Sequence, residues 1–190
     1  MGVVKKIIDV ISYPFAWVFN LSINSGKVPH QLKIARVIPL YKSGEHGSFK
    51  NYRPISILPA FSKILEKVIY NRLLIFLNKY NILSDSQYGF RKHHSTVYAL
   101  THLYDKISSS IDNMQFTVGI FIDLSKAFDT VNHNILLEKL EHYGIRGSAL
   151  RWFSSYLSDK RQFVEFNGYC STPCIIQCGV PQGSILGPLL

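Results

Sequence analysis

The sequence of 190 residues lacks any uninterrupted run of about 18 uncharged apolar residues, so it predicts no transmembrane helix. The apolar stretch 7–21 follows Lys5 and Lys6 as the core of a secretion signal would. Asp9 and Pro14 interrupt that stretch, however, and no small-residue cleavage site follows it. We therefore expect an intracellular protein of the nucleus or cytoplasm, with no secretion signal and no membrane partner.

Cysteine is also scarce, since the chain has three, at positions 170, 174 and 178. An odd number without a partner cluster argues against a disulfide framework. The seven histidines all precede the cysteines and show no ligand spacing to them, which argues against a structural zinc site. We expect buried thiols in a reducing compartment.

Acidic residues are few: the chain has 12 against 21 lysines and arginines, for a net charge of +9. Such an excess of positive charge indicates a polyanionic partner, either a nucleic acid or an anionic membrane. The densest basic stretch contains one acid, Glu45, and six cations: Lys27, Lys33, Arg36, Lys42, Lys50 and Arg53. Charge alone leaves two interpretations open, a phosphate-binding arm and a solvated hairpin edge whose charges prevent aggregation.

Apolar periodicity predicts an α+β fold. Helices are predicted over 1–24, with a break near Pro14, and over 61–80, 96–110, 132–140 and 147–157, with Ser95 as an N-cap. Strands are predicted over 32–44, 116–123, 161–166 and 173–178. No internal repeat or low-complexity linker separates these elements.

The segment 116–123, FTVGIFID, is a nearly continuous apolar run that predicts a strand buried on both faces. It ends at Asp123, and a second carboxylate, Asp129, follows Phe128 six residues later. Carboxylates at the rim of a core suit Mg²⁺, which takes one or two of them together with substrate phosphates. The alternative is that Asp123 only caps the following turn.

A glycine-rich loop, GVPQG, occupies residues 179–183 near the end of the sequence. Ser184 is a candidate N-cap for a helix that we expect to begin there. A loop of this kind that opens a helix brings main-chain N–H groups close to a phosphate or a base.

Five ordered blocks together resemble the reverse transcriptases of non-LTR, jockey-like retrotransposons. They are VIPLYKSG, NYRPISIL, QYGFRKHHST, FIDLSKAFDTVNH and GVPQGSILGPLL, and the resemblance covers about residues 20–190. It implies the fingers and palm of a right-hand polymerase, with an incomplete palm sheet packed with helices. We expect an N-terminal helical segment at 1–25, a fingers-like region at 26–115 and a partial palm at 116–190.

The resemblance also implies roles in RNA-directed DNA synthesis from an RNA template, a DNA primer and dNTPs. Asp123 would be the first catalytic carboxylate and a ligand of the two Mg²⁺ ions of nucleotidyl transfer. Phe128 would be the steric gate beneath the incoming sugar. The remaining residues would bind the triphosphate (Lys42, Arg53), support the nascent pair (Gln182, Gly183) or contact template and primer (Lys50, Arg91, Gly179, Pro181).

One departure from the family pattern is the absence of adjacent aspartates anywhere in the sequence. Reverse transcriptases carry a later aromatic-X-Asp-Asp hairpin that supplies the remaining metal carboxylates. We therefore expect a fragment of the enzyme that is inactive by itself. A non-catalytic nucleic-acid-binding remnant of the same fold is the alternative. An unrelated metal-dependent phosphotransferase would need a second aspartate at position 125, which is Ser125.

Overall fold

A computed structural model describes residues 7–190. The helices are α1 Ile8–Ser25, α2 Ala60–Lys79, α3 Thr96–Asp112, α4 His133–His142 and α5 Gly147–Leu157. The strands are β1 Ile34–Tyr41, β2 Tyr52–Ile57, β3 Arg161–Phe166, β4 Tyr169–Cys170 and β5 Cys174–Ile175. This mixture of helices and one sheet confirms the predicted α+β class. Within the described range, no helix is both long and apolar enough to cross a membrane.

The strands form a five-stranded sheet with the order β2-β1-β3-β4, in which β5 also pairs with β3. β1 and β2 are an antiparallel hairpin, whereas β1 and β3 run parallel. The register places Val37 beside both Ser56 and Val164, and Pro39 beside Pro54. Because side chains alternate between the faces of a sheet, these five residues share one face.

The chain divides into two compact units. Among the described residues, the first contains 7–71 together with Lys126–Pro188, and therefore the whole sheet, α1, α4 and α5. Its core includes Trp152, which is 2% exposed and donates its indole N–H to the Ser22 hydroxyl on α1 at 3.1 Å. The predicted boundaries at 25/26 and 115/116 remain predictions.

The second unit runs from Arg72 to Ser125 and contains α3. Ser95 caps this helix as predicted, because its hydroxyl accepts the Tyr98 main-chain N–H at 3.3 Å. The apolar stripe of α3 is nevertheless exposed, with Val97, Leu100 and Tyr104 each more than 60% accessible.

The prediction of a buried strand at 116–123 is wrong. Residues 115–124 form neither helix nor strand, and no strand of the described sheet pairs with them. Phe116, Ile120 and Ile122 are each more than 80% exposed. An apolar, β-branched composition favours a strand, but a strand forms only where a neighbour accepts its main-chain hydrogen bonds, and this segment has none.

Other predictions differ in extent. α1 continues through Pro14 instead of breaking there, which costs it one main-chain hydrogen bond, and residues 1–6 of the predicted helix lie outside the described range. The strand predicted at 173–178 is reduced to Cys174–Ile175, and the helix predicted from Ser184 is a short 3₁₀ turn, Gly187–Leu189.

The three cysteines are free but exposed, so their predicted burial is wrong.

Candidate functional site

The candidate site is built on the Gly179–Gly183 loop, whose first residues are hydrogen-bonded to the turn before α4. The Gly179 N–H donates to the Val131 carbonyl at 2.7 Å, and the Val180 N–H donates to the Phe128 carbonyl at 2.7 Å. Two sequence blocks that are 46 or more residues apart are thereby joined. The loop is fixed at this end by main-chain bonds, which do not depend on the side chains of either block.

Gly179 is required by the closeness of this contact. Its φ is +86°, and a Cβ added there would lie 2.8 Å from the carbonyl oxygens of Phe128 and Asp129. His133 on α4 adds a side-chain hydrogen bond to the Gly179 carbonyl at 2.7 Å. A residue with a side chain could not bring the loop so near the turn without displacing the main chain.

The middle of the loop lies along β2, the edge strand of the sheet. The Ser56 N–H donates to the Gln182 carbonyl at 2.8 Å. Gly183 follows with a φ of +110°, and a Cβ there would lie 2.8 Å from the Ser56 carbonyl oxygen. The loop therefore covers the free edge of β2 and is held by it.

A cavity of about 280 Å³ opens between these elements. Pro54 and Ser56 of β2 line one side, the loop residues Gly179–Gln182 line another, and Asp129 also lines the cavity. Pro181 is buried and Gln182 is half-buried, whereas Asp129 is exposed. The cavity is thus lined by the loop, by two glutamines, Gln162 and Gln182, and by one acidic residue, Asp129, a set suited to a polar ligand.

The predicted basic residues lie on the β1–β2 hairpin beside this cavity. Lys42, Lys50 and Arg53 are all exposed, and the Lys42 N–H donates to the Asn51 carbonyl at 2.8 Å to close the hairpin. Arg53 precedes Pro54 on β2, so strand alternation directs its side chain to the sheet face opposite Pro54. All three cations are thus carried by the β1–β2 hairpin, and the Arg53 side chain projects from the sheet face opposite the cavity.

The remaining predicted residues belong to the second unit. Arg91 is half-buried, and its guanidinium donates to the Ser84 carbonyl at 2.7 Å. Asp123 is exposed in the segment that has no strand partner. Throughout residues 7–190, no group of three or more His, Cys, Asp or Glu side chains is placed to hold a metal ion. The catalytic role of Asp123 remains a prediction.

Sequence reasoning missed a buried polar cluster next to the loop. Glu66 on α2 is 1% exposed, accepts the Tyr156 hydroxyl at Oε1 and accepts the Ile185 N–H at Oε2. Lys160 is 2% exposed, with its ammonium 3.4 Å from the centre of the Tyr156 ring. The signal was available, because Ser62, Glu66 and Ile69 lie at helical spacing on the buried face of α2.

Burial shifts the ionisation of this cluster. Desolvation lowers the pKa of Lys160 to about 7, against an opposing attraction to Glu66 and with a further lowering by Lys33. Desolvation likewise raises the pKa of Tyr156 well above its ordinary value, and the charge of Glu66 and the hydrogen bond to it add to that rise. Tyr156 therefore remains a hydrogen-bond donor at neutral pH.

The sequence of the chain is similar to those of known proteins. Residues 41–190 match the family described as reverse transcriptase (RNA-dependent DNA polymerase). Over 182 residues, or 92% of the chain, the sequence is 37% identical to a Drosophila melanogaster protein named as a probable RNA-directed DNA polymerase from transposon BS. It is 35% identical over 176 residues, again 92% of the chain, to the RNA-directed DNA polymerase from mobile element jockey of the same species.

The similarity covers most of this chain but a small part of those relatives. The chain spans 19% of the length of the transposon BS and jockey proteins. The relative from the D. melanogaster X-element, 34% identical over 174 residues, is covered to the same 19%. The predicted resemblance to jockey-like elements is thereby confirmed for the region that the chain contains.

Proposed function

The chain belongs to the reverse transcriptase (RNA-dependent DNA polymerase) family, and from this premise we propose that it is part of the RNA-directed DNA polymerase of a non-LTR, jockey-like retrotransposon. Its proposed partners are an RNA template, a DNA primer and dNTPs. We assign residues 26–115 to the fingers and 116–190 to part of the palm of a right-hand polymerase. The net charge of +9 supports a nucleic-acid partner.

One observation carries the proposal, namely the joining of the Gly179–Gly183 loop to Phe128 and to β2 around the 280 Å³ cavity. Main-chain bonds to Phe128 and Ser56 hold two points of the loop, so a ligand meets a preformed surface. Preorganised polar groups bind a ligand without a further ordering cost. We infer that the incoming nucleotide and the template base meet at this loop.

We propose that Gln182 and Gly183 support the nascent base pair and that Gly179 and Pro181 shape the loop along the template. Phe128 is half-buried, and its carbonyl accepts the Val180 N–H. This bond fixes the main chain of Phe128 beside the loop, and an aromatic side chain at such a position suits a steric gate that excludes a 2′-hydroxyl group. Its attachment to the loop supports the role, because the gate and the base support would then keep a constant separation.

The exposed cations of the β1–β2 hairpin are proposed to bind phosphates. Lys42 and Arg53 would contact the triphosphate, and Lys50 and Arg91 the template or primer. Lysine contributes a mobile point charge, whereas arginine contributes a planar fork for two phosphate oxygens. The structure supports this for Lys42 and Lys50 by their exposure, while Arg53 would act from the opposite face of the sheet.

Asp123 is proposed as the catalytic carboxylate, by its place in the FIDLSKAFD block. Reverse transcriptases use divalent metal ions, and two-metal transfer needs several carboxylates around ions about 4 Å apart. The residues described here do not fit such a site, because they contain no cluster of three ligands and Asp123 is exposed. Mg²⁺ binding at Asp123 would thus require further ligands.

Fluorescence anisotropy with a labelled RNA–DNA primer–template tests the proposed binding site. Gln182→Ala should weaken binding by about fivefold, the value of one hydrogen bond, since its main-chain bond to Ser56 is kept. Gln177→Ala, in the same segment but exposed and outside the cavity, is the matched control. Equal affinities of the two variants would exclude Gln182 from the interface.

A non-catalytic nucleic-acid-binding domain is the second candidate, favoured by the absence of a metal-binding cluster among residues 7–190. Primer extension on an RNA template with Mg²⁺ and dNTPs is the measurement that can eliminate the second candidate. We expect no extension by this chain, and Asp123→Ala controls for a contaminating polymerase. Extension that disappears in Asp123→Ala would establish catalysis by the chain itself and eliminate the second candidate.

A further inference from the structure

The carboxylate of Glu66 is the most buried charged group in the described part of the chain, with 1% of the residue exposed. A buried carboxylate is stable only when its oxygens have partners. Both do: Oε1 accepts the Tyr156 hydroxyl at 2.6 Å, and Oε2 accepts the Ile185 N–H at 2.8 Å. The side chain thus links helix α2 to helix α5 and to the end of the glycine-rich loop.

The segment that Glu66 holds is the downstream end of the candidate site. Ile185 lies two residues after Gly183, and the intervening Ser184 is buried and hydrogen-bonds to the Tyr156 side chain. The Ser184 hydroxyl also accepts the Gly187 N–H at 3.0 Å. Glu66 and Tyr156 therefore form hydrogen bonds with the two residues that directly follow the loop, Ile185 and Ser184.

The other anchors of the loop have neutral main-chain partners or the His133 imidazole. The Gly179 N–H, the Val180 N–H and the Gln182 carbonyl bond to main-chain groups, and His133 bonds to the Gly179 carbonyl, whereas the Ile185 N–H donates to a buried carboxylate. A hydrogen bond to a charged acceptor is about twice as strong as a neutral one and is sensitive to direction. The downstream anchor is thus the one that a carboxylate supplies, and a single substitution at Glu66 can remove it.

Lys160 supplies the nearby positive charge. Its ammonium group is buried, has no hydrogen-bond partner among the described residues and lies over the ring of Tyr156. Attraction to Glu66 favours its charged form, and burial opposes it. Charge on Lys160 partly offsets the cost of burying the carboxylate, while the intervening phenol keeps the two groups from forming a direct ion pair.

Stability alone does not explain this arrangement. Apolar residues of similar volume commonly replace buried charged groups with no loss of stability. A carboxylate does what such residues cannot, because it fixes one main-chain N–H at a set position and direction. That N–H belongs to the segment that ends the candidate nucleotide loop.

We propose that Glu66 is a positioning residue of the Gly179–Gly183 loop, with Tyr156 orienting its carboxylate and Lys160 as its counter-charge. The ligand of the loop is taken from the proposed function. The role of Glu66 in holding the loop does not depend on that function. Without Glu66, the fold should persist while the downstream end of the loop loses its fixed position.

Amide hydrogen exchange of the whole chain, followed by NMR at about pH 6, where Lys160 is charged, tests this proposal. Glu66→Met removes the acceptor at similar volume, and the Ile185 and Gly187 amides should exchange about tenfold faster, as expected for loss of a hydrogen bond to a charged group. The amides of α4 and α5 should keep their protection. Glu66→Gln, which retains an acceptor oxygen, should restore most of the protection at Ile185.

Ser62→Ala is the matched control, since Ser62 is a buried polar residue one turn earlier on α2 that donates to the Leu32 carbonyl at 3.0 Å. It should leave the loop amides unchanged. Wild-type protection at Ile185 in Glu66→Met, or an equal loss at every amide, would overturn the proposal. If Glu66→Met does not fold, Tyr156→Phe replaces it and should speed Ile185 exchange by about threefold through a less oriented carboxylate.

The same variants are tested separately for binding to the RNA–DNA primer–template. Loss of both loop protection and affinity in Glu66→Met supports the positioning role and the proposed function together. Loss of protection with unchanged affinity still supports Glu66 as the anchor of the loop, but counts against the loop as the nucleic-acid site. Hydrogen exchange therefore tests the positioning role of Glu66, and the binding assay tests the proposed function of the loop.

Discussion

The main-chain N–H of Ser56 donates to the carbonyl of Gln182 at 2.8 Å. Ser56 lies on β2, at the edge of the sheet, and Gln182 lies in the middle of the glycine-rich loop. One bond therefore satisfies a donor on an open strand edge and also fixes the main chain of Gln182, whose side chain we propose to contact the nascent base pair. Both the stability and the proposed function depend on the loop approaching β2 closely.

Gly183→Ala should destabilise the protein because the alanine would have a strained main-chain conformation and its Cβ would clash with β2. The residue has a φ of +110°, and the added Cβ would lie 2.8 Å from the Ser56 carbonyl oxygen. Gly168→Ala is the control, with a φ of +82° but no atom within 4 Å of the added Cβ. Urea unfolding should show Gly183→Ala to be less stable than the control by about 1–3 kcal/mol. Equal stabilities would mean that the loop moves away from β2 at no cost.

The basic hairpin should dominate non-specific nucleic-acid affinity. Replacing Lys42, Lys50 and Arg53 by alanine removes three exposed cations, and each lost phosphate contact should reduce the slope of log affinity against log salt by about 0.7 to 0.9. Anisotropy titrations with a short RNA–DNA duplex at several salt concentrations measure that slope.

The matched control for the hairpin variant is a triple alanine variant at Lys106, Lys139 and Arg151, which are also exposed. It makes the same change in net charge at other places on the surface. If both triple variants changed the slope equally, overall charge would determine the affinity and the hairpin would have no special role.

Lys160 should make stability depend on pH. Its pKa is about 7 in the folded protein, against about 10.5 when unfolded, so between these values the unfolded chain binds the extra proton. Its contribution to the free energy of unfolding should therefore rise with pH above about 7, by at most about 1.4 kcal/mol per pH unit. Below pH 7 both states are charged and this dependence disappears.

Urea unfolding between pH 6.5 and 9.5 checks this dependence, and Lys160→Met should have a flatter profile than the wild type. The groups that act on Lys160 are Glu66, Tyr156 and Lys33, and all three remain in the variant. Lys139→Met, at an exposed lysine, should follow the wild-type profile. Parallel profiles for wild type and Lys160→Met would show that the ammonium keeps an ordinary pKa.

Phe128→Val should relax sugar selection in a polymerase that carries this domain together with its remaining parts. A smaller side chain leaves room for a 2′-hydroxyl, so use of ribonucleotides should rise by about ten- to a hundredfold while use of deoxynucleotides changes little. Single-nucleotide extension assays measure both rates. Phe166→Val, at a half-exposed ring on β3, is the control. Unchanged discrimination would assign the Phe128 ring to packing.

Local features were predictable from the sequence because they depend on neighbouring residues. Helical periodicity located α2 and α5 within one or two residues, and the N-cap at Ser95 was correct because its hydrogen bond reaches only three residues along the chain. The positive φ of Gly179 and Gly183 agrees with the loop predicted there. The order of the five blocks was sufficient to predict the family.

Long-range contacts were decided by the tertiary structure. The segment 116–123 has the composition of a strand, yet it forms none, because strand formation depends on a partner that composition does not specify. The three cysteines are exposed for a related reason, since residue type indicates only average burial.

The sequence by itself determined the five helices to within a few residues at most of their ends, the strands β1 and β3, and the family to which this chain belongs. Only the tertiary structure decided that Glu66 meets Ile185 and that Ser56 meets Gln182. Spacing along the chain carries no information on which distant groups become neighbours. Their meeting depends on how α2, α5 and the sheet pack around a shared core, where a buried carboxylate is tolerated only if main-chain and side-chain donors reach it.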